Sequence, residues 1–271
     1  DPTYLSALQS FLLLGGRAVA VESDPHGILP DALEEALRRE RPVALYLVPT
    51  FANPTGLTLD ARRRARIAEL VAEHDVWLIE DDPYSELRFS GTHVGPVSAN
   101  PLVQTCALYL GTFSKIGRPG LRVGWVRAPV EIMQTLATVK QASDMHTSTL
   151  DQAATAIYLR SGRLDGHIAQ VCQVYRQRRD AMVAAMPSTM PAGTRWTEPE
   201  GGMFLWVELP EGYDATQRLR LAMAEHVAFV SGAQFHASNP NPRTLRMCFV
   251  TYEPAVITEG MARLARAFEP D

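Results

Sequence analysis

Lys115 stands in the run Thr112-Phe113-Ser114-Lys115-Ile116-Gly117-Arg118-Pro119-Gly120-Leu121-Arg122, among small, apolar and hydroxyl residues, with Arg122 seven positions on. The apolar stretch before it, Ala107-Leu108-Tyr109-Leu110, reads as a strand buried on both faces. A charged amine at the end of such a strand is costly to bury, and desolvation favours its neutral form. A neutral amine attacks carbonyl carbons, which is the chemistry of Schiff-base lysines. The rival reading is a solvated lysine at the rim of a sheet. The surrounding motifs have to decide between the two.

Three further motifs accompany strand-like runs. Asn53-Pro54-Thr55-Gly56 follows the run that ends at Val48, and taken alone it is a turn sequence. Glu80-Asp81-Asp82-Pro83-Tyr84 follows Val76-Trp77-Leu78-Ile79; acidic residues at a strand end are by themselves loop residues. Thr244-Leu245-Arg246-Met247-Cys248-Phe249 is a late strand with one arginine and apolar neighbours on both alternating faces. A guanidinium in that setting demands a buried partner, whereas a snorkelling arginine on an edge strand does not. Arg243 is the weaker claimant for the same role. His93, His146 and His236 match no ligand spacing and read as structural or surface histidines.

The elements that must position these residues follow from periodicity. Segments 5–14, 30–39 and 59–74 read as helices, and 18–21, 43–48, 76–80, 107–110 and 123–126 as strands. This alternation predicts an α/β fold with a mainly parallel sheet covered by helices on both faces. In such sheets ligands bind at the carboxyl ends of the strands. After Pro129 the texture changes. Helices are expected at 131–142, 150–160 and 164–185, then a strand at 203–208, a helix at 215–226, strands at 227–230 and 245–250, and a closing helix at 254–268. The chain is read as a large domain, residues 1–162, and a smaller C-terminal α+β domain, residues 163–271, with a soft boundary near Gly162.

Composition bounds the function. With 46% apolar and 21% charged residues, the chain is composed like an ordinary globular protein. A net charge of −4 argues against nucleic acid or an anionic membrane as partner. The basic run Arg62-Arg63-Arg64-Ala65-Arg66 is expected on the solvated face of its helix, opposite Ile67, Leu70 and Val71. Cys106, Cys172 and Cys248 are an odd, widely spaced set, read as buried free thiols in a reducing compartment. No apolar run approaches a membrane span, and Phe11-Leu12-Leu13-Leu14 is too short and too late for a signal peptide. A cytoplasmic location is expected.

With these motifs in view, the chain resembles the aminotransferase class I/II family of fold-type I pyridoxal-phosphate (PLP) enzymes. The resemblance rests on NPTG at 53–56, EDDPY at 80–84, GTFSK at 111–115, PGLRVGW at 119–125, GGMFLW at 201–206 and TLRMCF at 244–249. Each is weak alone; six in one order across nearly the whole chain are specific. The 2-aminoadipate and kynurenine aminotransferases are the nearest branch, and the effector domains of MocR-type regulators are related.

The resemblance implies a role for each residue. Lys115 would carry the cofactor as a Schiff base and then shuttle the proton at the substrate α-carbon. Asp81, three residues before Tyr84, would keep the pyridine nitrogen protonated, and Asp82 would not. Asn53 and Tyr84 would hydrogen-bond the phenolic oxygen. Arg122, Thr112 and Ser114 would hold the phosphate. Arg246, together with Asn53, would bind the substrate α-carboxylate, and Gly201-Gly202 would let backbone approach the substrate.

The implied activity is transfer of an amino group between an α-amino acid and a 2-oxo acid by a homodimer. The alternatives are a PLP-sensing effector domain of a MocR-type regulator and another PLP reaction such as β-elimination. In the family the chain normally begins earlier, with an N-terminal arm, a first strand and a Gly/Ser-rich phosphate loop. Asp1-Pro2-Thr3-Tyr4 therefore resembles a segment already inside the large domain, and Tyr4 is one claimant for the aromatic that stacks on the cofactor ring.

Overall fold

The computed structural model describes residues 1–269. In chain order the elements of the first half are α1 (Leu5–Leu13), β1 (Ser23–Asp24), β2 (Gly27–Ile28), α2 (Pro30–Glu40), β3 (Ala44–Leu47), α3 (Ala61–Glu73), β4 (Trp77–Asp81), β5 (Ala107–Thr112) and β6 (Gly124–Arg127). There follow α4 (Val130–Asp144), α5 (Thr149–Arg160), α6 (Leu164–Thr189), β7 (Arg195–Trp196), β8 (Phe204–Glu208), α7 (Ala215–Ala224), β9 (Val230–Ser231), β10 (Thr244–Cys248) and α8 (Pro254–Ala267).

Local chemistry sets several of these bounds. Pro30 opens α2, where its missing N–H costs nothing. Asp60 caps α3 by accepting the Arg63 N–H at 2.7 Å. Asp214 does the same for α7 toward Thr216 and Gln217. The apolar stripes of α2 and α3 then bury Leu33, Leu37, Ile67, Leu70 and Val71 against Leu45, Leu47 and Leu78. Each such burial contributes about 1.5–3 kcal/mol.

Two sheets result. The first runs β3-β4-β5-β6, with β3, β4 and β5 parallel and β6 antiparallel to β5. The second, β7-β8-β10-β9, is antiparallel. It packs with α6 and α8 around Met182, Met186, Leu205, Val207, Leu245 and Met261. A third, smaller cluster of Phe51, Tyr84, Leu87, Ile116 and Phe204 joins the two halves. This cluster lies among the sequence motifs.

Several expectations need correction. Residues 18–21 form no strand. A cavity of about 1090 Å³ lies between them and β3, walled by Leu8 and Phe11 of α1 and by Leu33, Ala36 and Leu37 of α2. Among the described residues no strand pairs with them. The strand expected at 227–230 is displaced to Val230–Ser231. β5 is buried only at Ala107 and half-buried beyond it, and α4, farther along the chain, has no buried residue. Arg64 is buried rather than solvated, and Arg63 is half-buried against Asp24, to which it donates at 2.6 and 2.8 Å. Of the cysteines, all free, Cys106 and Cys172 are half-buried and Cys248 is exposed at the end of its strand.

Candidate active site

Strand parity separates two adjacent acids. Side chains alternate along β4, so Ile79 and Asp81 share one face while Glu80 and Asp82 take the other. Register places Tyr46 of β3 beside Ile79 and Leu110 of β5 beside Asp81. On that face the Tyr46 hydroxyl donates to Asp81 Oδ2 at 2.6 Å. Burial pushes the Asp81 carboxyl above its ordinary value, and the Tyr46 hydrogen bond opposes that push. On the other face Glu80 is fully buried and accepts the backbone N–H groups of Val97 (2.9 Å) and Ser98 (2.7 Å). Asp82 accepts from Ser85 N–H at 3.0 Å and from the Tyr109 hydroxyl at 2.8 Å. Glu80 and Asp82 are thus committed to holding loops and strands, and Asp81 keeps one oxygen open.

The Lys115 segment turns sharply after β5. Thr112 Oγ1 accepts from the Ser114 N–H at 3.1 Å and donates to the Val123 carbonyl at 3.4 Å. Arg122, in the left-handed region at φ 54°, brings its guanidinium back to donate to Ser114 Oγ at 3.3 Å and to the Pro119 carbonyl at 3.1 Å. Thr112, Ser114 and Arg122 therefore converge, as the resemblance implies. Ile116 is buried and Lys115 half-buried. Among the described residues the Lys115 amine makes no hydrogen bond or ion pair. The absence of a side chain at Gly111 admits the Trp125 ring, which an added Cβ would meet at 2.2 Å.

Asn53 lies in the loop after β3, and its Oδ1 accepts from Arg246 Nη1 at 2.7 Å across 193 positions of sequence. Asn53 also lies beside Tyr84, a buried phenol packed edge-on against Phe204. Burial raises the Tyr84 hydroxyl well above its ordinary range, so it stays a donor. The Arg246 guanidinium is stacked between Phe204, 4.1 Å away, and Phe235, 5.0 Å away. Burial lowers its pKa, and its Nε is buried without a partner. Arg243 is already engaged, donating to Glu208 at 2.8 Å.

Some residues escaped the sequence reading. Tyr46, Phe204 and Phe235 are ordinary apolar or aromatic positions until the fold sets them beside Asp81 and Arg246. Tyr4 exerts an electrostatic influence on Tyr46, Tyr84 and Arg246, which places it at this cluster. Gly201 and Gly202 are tightly packed: an added Cβ would lie 2.3 Å from the Phe51 ring and the Leu87 carbonyl at Gly201, and 2.6 Å from Phe51 at Gly202. Their smallness serves packing against the first half of the chain. Of the histidines, His236 is half-buried on Asp1 and His146 is exposed on the Thr147 carbonyl.

The assembled groups are an open carboxylate oxygen, an amide and a phenol in contact, a guanidinium with two hydroxyls, and a free amine. They stand in the loops and last residues at the carboxyl ends of β3, β4 and β5, joined by Arg246 from the second sheet. They suit a flat, ionisable heteroaromatic ring bearing a phosphate, with a carboxylate-bearing molecule beside it. Over residues 1–264 the sequence matches the profile of the family described as aminotransferase class I and II. It is 40% identical over 275 residues to the aromatic-amino-acid aminotransferase 1 of Thermococcus litoralis, covering 100% of this chain and 66% of that protein. It is 40% identical over 270 residues to the 2-aminoadipate transaminase of Thermus thermophilus, covering 99% and 68%. The structure superposes on the Pyrococcus horikoshii kynurenine aminotransferase, solved with PMP, at a TM-score of 0.94 and 38% identity, covering 98% of this chain and 67% of that one. The chain thus spans about two thirds of the length of these relatives.

Proposed function

The chain belongs to the aminotransferase class I and II family, and from that premise we propose that it binds pyridoxal 5′-phosphate and transfers an amino group between an α-amino acid and a 2-oxo acid. The observation that carries this reading is the placement of Asn53, Asp81, Tyr84, Lys115 and Arg122 in or just after adjacent strands of one sheet, with Arg246 reaching Asn53 from the second sheet.

The residues fit the cofactor's groups one by one. Asp81 retains an acceptor oxygen for the pyridine N–H. Tyr84 and Asn53 are adjacent donors for the phenolic oxygen. Arg122, Ser114 and Thr112 offer a guanidinium and hydroxyls to the phosphate. When bound, the cofactor supplies an electron sink for the bond broken at the substrate α-carbon. Lys115 would hold the cofactor through its amine and would carry the proton at the substrate α-carbon. Arg246 binds the substrate α-carboxylate, pre-set by Asn53 and the two phenylalanines that flank it. Its buried, unpartnered Nε supports an anionic ligand.

The same reading includes a large domain at residues 1–162 and a small one at 163–271, supported by separate cores in the two halves. It also includes a cytoplasmic homodimer with small-molecule substrates. The acidic net charge supports a partner other than nucleic acid, and among the described residues no helix is long and apolar enough to cross a membrane.

Borohydride reduction in the presence of PLP tests the assignment. The chain has two lysines, Lys115 and Lys140, and Lys140 is paired with Asp144 at 2.7 Å on exposed α4. The label is expected on Lys115. Labelling of Lys140 alone, or of neither, overturns the proposal. Fixation at Lys115 without amino transfer to any 2-oxo acid would instead point to a PLP-binding effector.

A further inference from the structure

Asp81 has two acceptor oxygens and, among the described residues, one donor for them. The Tyr46 hydroxyl donates to Oδ2 at 2.6 Å, and Oδ1 takes no hydrogen bond. The donor belongs to the neighbouring strand. Register sets Tyr46 beside Ile79, two positions before Asp81 on the same face of the sheet. That offset is about 6.6 Å along the strand, which the length of a tyrosine side chain spans. The ring is fixed from the other side by Phe11 of α1, edge-on at 5.8 Å and 71°.

We propose that Tyr46 is the positioning residue of Asp81: its hydroxyl fixes the rotation of the carboxylate and leaves Oδ1 as the single acceptor presented to the ring nitrogen of the cofactor. The inference deepens the proposed function and, in what Oδ1 receives, rests on it. The contact between Tyr46 and Asp81 does not depend on that reading.

The electrostatics of the pocket give the hydrogen bond its weight. The titratable groups around Asp81 are Tyr46 on β3, Asp82 next to it in sequence but on the opposite face of β4, and Tyr84 in the following turn, with Tyr4 ahead of α1 close to Tyr46 and Tyr84. None of these is a cation. Burial and the charge of Asp82 both favour the protonated carboxyl, and of these interactions the Tyr46 hydrogen bond alone favours the carboxylate. Tyr46 is itself a dependable donor, because burial and the adjacent carboxylate drive its pKa far above the ordinary value. A protonated Asp81 could donate to a ring nitrogen but could not hold a proton on it. Tyr46 thereby favours the one protonation state of Asp81 that suits the site.

The test is a carboxyl ¹³C-NMR titration of the chain without cofactor, with the Asp81 resonance identified by its loss in Asp81→Asn. In Tyr46→Phe the proton affinity of Asp81 should rise about tenfold, one pKa unit. Phe11→Leu, which loosens the packing of the same ring but keeps the hydroxyl, should leave the titration in place. An unmoved Asp81 in Tyr46→Phe, or an equal shift in Phe11→Leu, overturns the proposal. A second reading needs no change at Tyr46. The parent chain should show a downfield, slowly exchanging phenol proton that disappears in Asp81→Ala, and its absence from the parent spectrum also overturns the proposal. Failure of PLP to bind would sink the proposed function while leaving both measurements able to decide on Tyr46.

Discussion

Asp81 and Asp82 carry the same group one residue apart, and strand alternation alone sends them to different partners. The difference is measurable. In the unfolded chain Asp81 ionises near its ordinary value of 3.8, and burial raises it in the fold. Between those two values the folded chain keeps a proton that the unfolded chain has lost, so the Asp81 contribution to stability falls as pH rises through that interval. Asp81→Asn should therefore gain stability relative to the parent as pH climbs above about 3.8, read from urea midpoints across the carboxylate range; a flat difference would contradict the burial of Asp81. Asp82→Asn should instead lose about 1–3 kcal/mol at neutral pH, because one of its two accepted hydrogen bonds, from Ser85 and Tyr109, is broken. Arg246 makes a separate prediction. If it binds the α-carboxylate, Arg246→Ala lowers kcat/KM for all amino donors and 2-oxo acceptors by about 2–5 kcal/mol, the scale for truncating one partner of a buried charge pair. Loss restricted to acidic substrates would make it a side-chain reader. Lys115 and Arg246 were legible from their apolar surroundings in sequence. Tyr46 was not, since nothing local marks one strand tyrosine as the partner of an acid 35 residues away.

Elements were legible where the hydrophobic period was strong, as in α2, α3 and α8, and slipped where pairing decided. Residues 18–21 have strand composition and no strand beside them; Val230–Ser231 is a strand only because Arg246 and Leu245 lie opposite. The sharpest misreading is Arg64. Its position in a basic run suggested solvent, yet its guanidinium donates to the carbonyls of Leu59, Pro49, Val94 and Gly95 and to the Thr50 hydroxyl. Those bonds tie the start of α3 to the loop that carries Asn53. Arg64→Met keeps the buried aliphatic stem and strips the donors, so it should cost about 3–5 kcal/mol by urea denaturation. A loss within about 0.5 kcal/mol, the scale of a surface substitution, would return Arg64 to the solvated face. The period of α3 places Arg64 on the same inner side as Ile67 and Val71, three and seven positions on; the charge of the run obscured that.

At the scale of the whole molecule, apolar surface stands open in two places. Val130, Met145, Leu150 and Ile157 of the α4 and α5 region are exposed, and the cavity beside β3 is walled by leucines and Phe11. Apolar surface, where it is contiguous, recruits partners or associates with itself. The 271-residue chain is therefore expected to bind an apolar dye such as ANS and to sediment as more than a monomer; a dye-silent monomer would mean these faces are covered in solution. The amino-acid sequence by itself determined the alternation of helices and strands, the motifs at the strand ends and the family, because periodicity, turn residues and motif order are properties of neighbouring positions. Only the tertiary structure decided which oxygen of Asp81 is free, what Arg64 holds and that Arg246 meets Asn53 across 193 positions. Those contacts depend on how two sheets and their covering helices pack, and no local pattern encodes the distance between them.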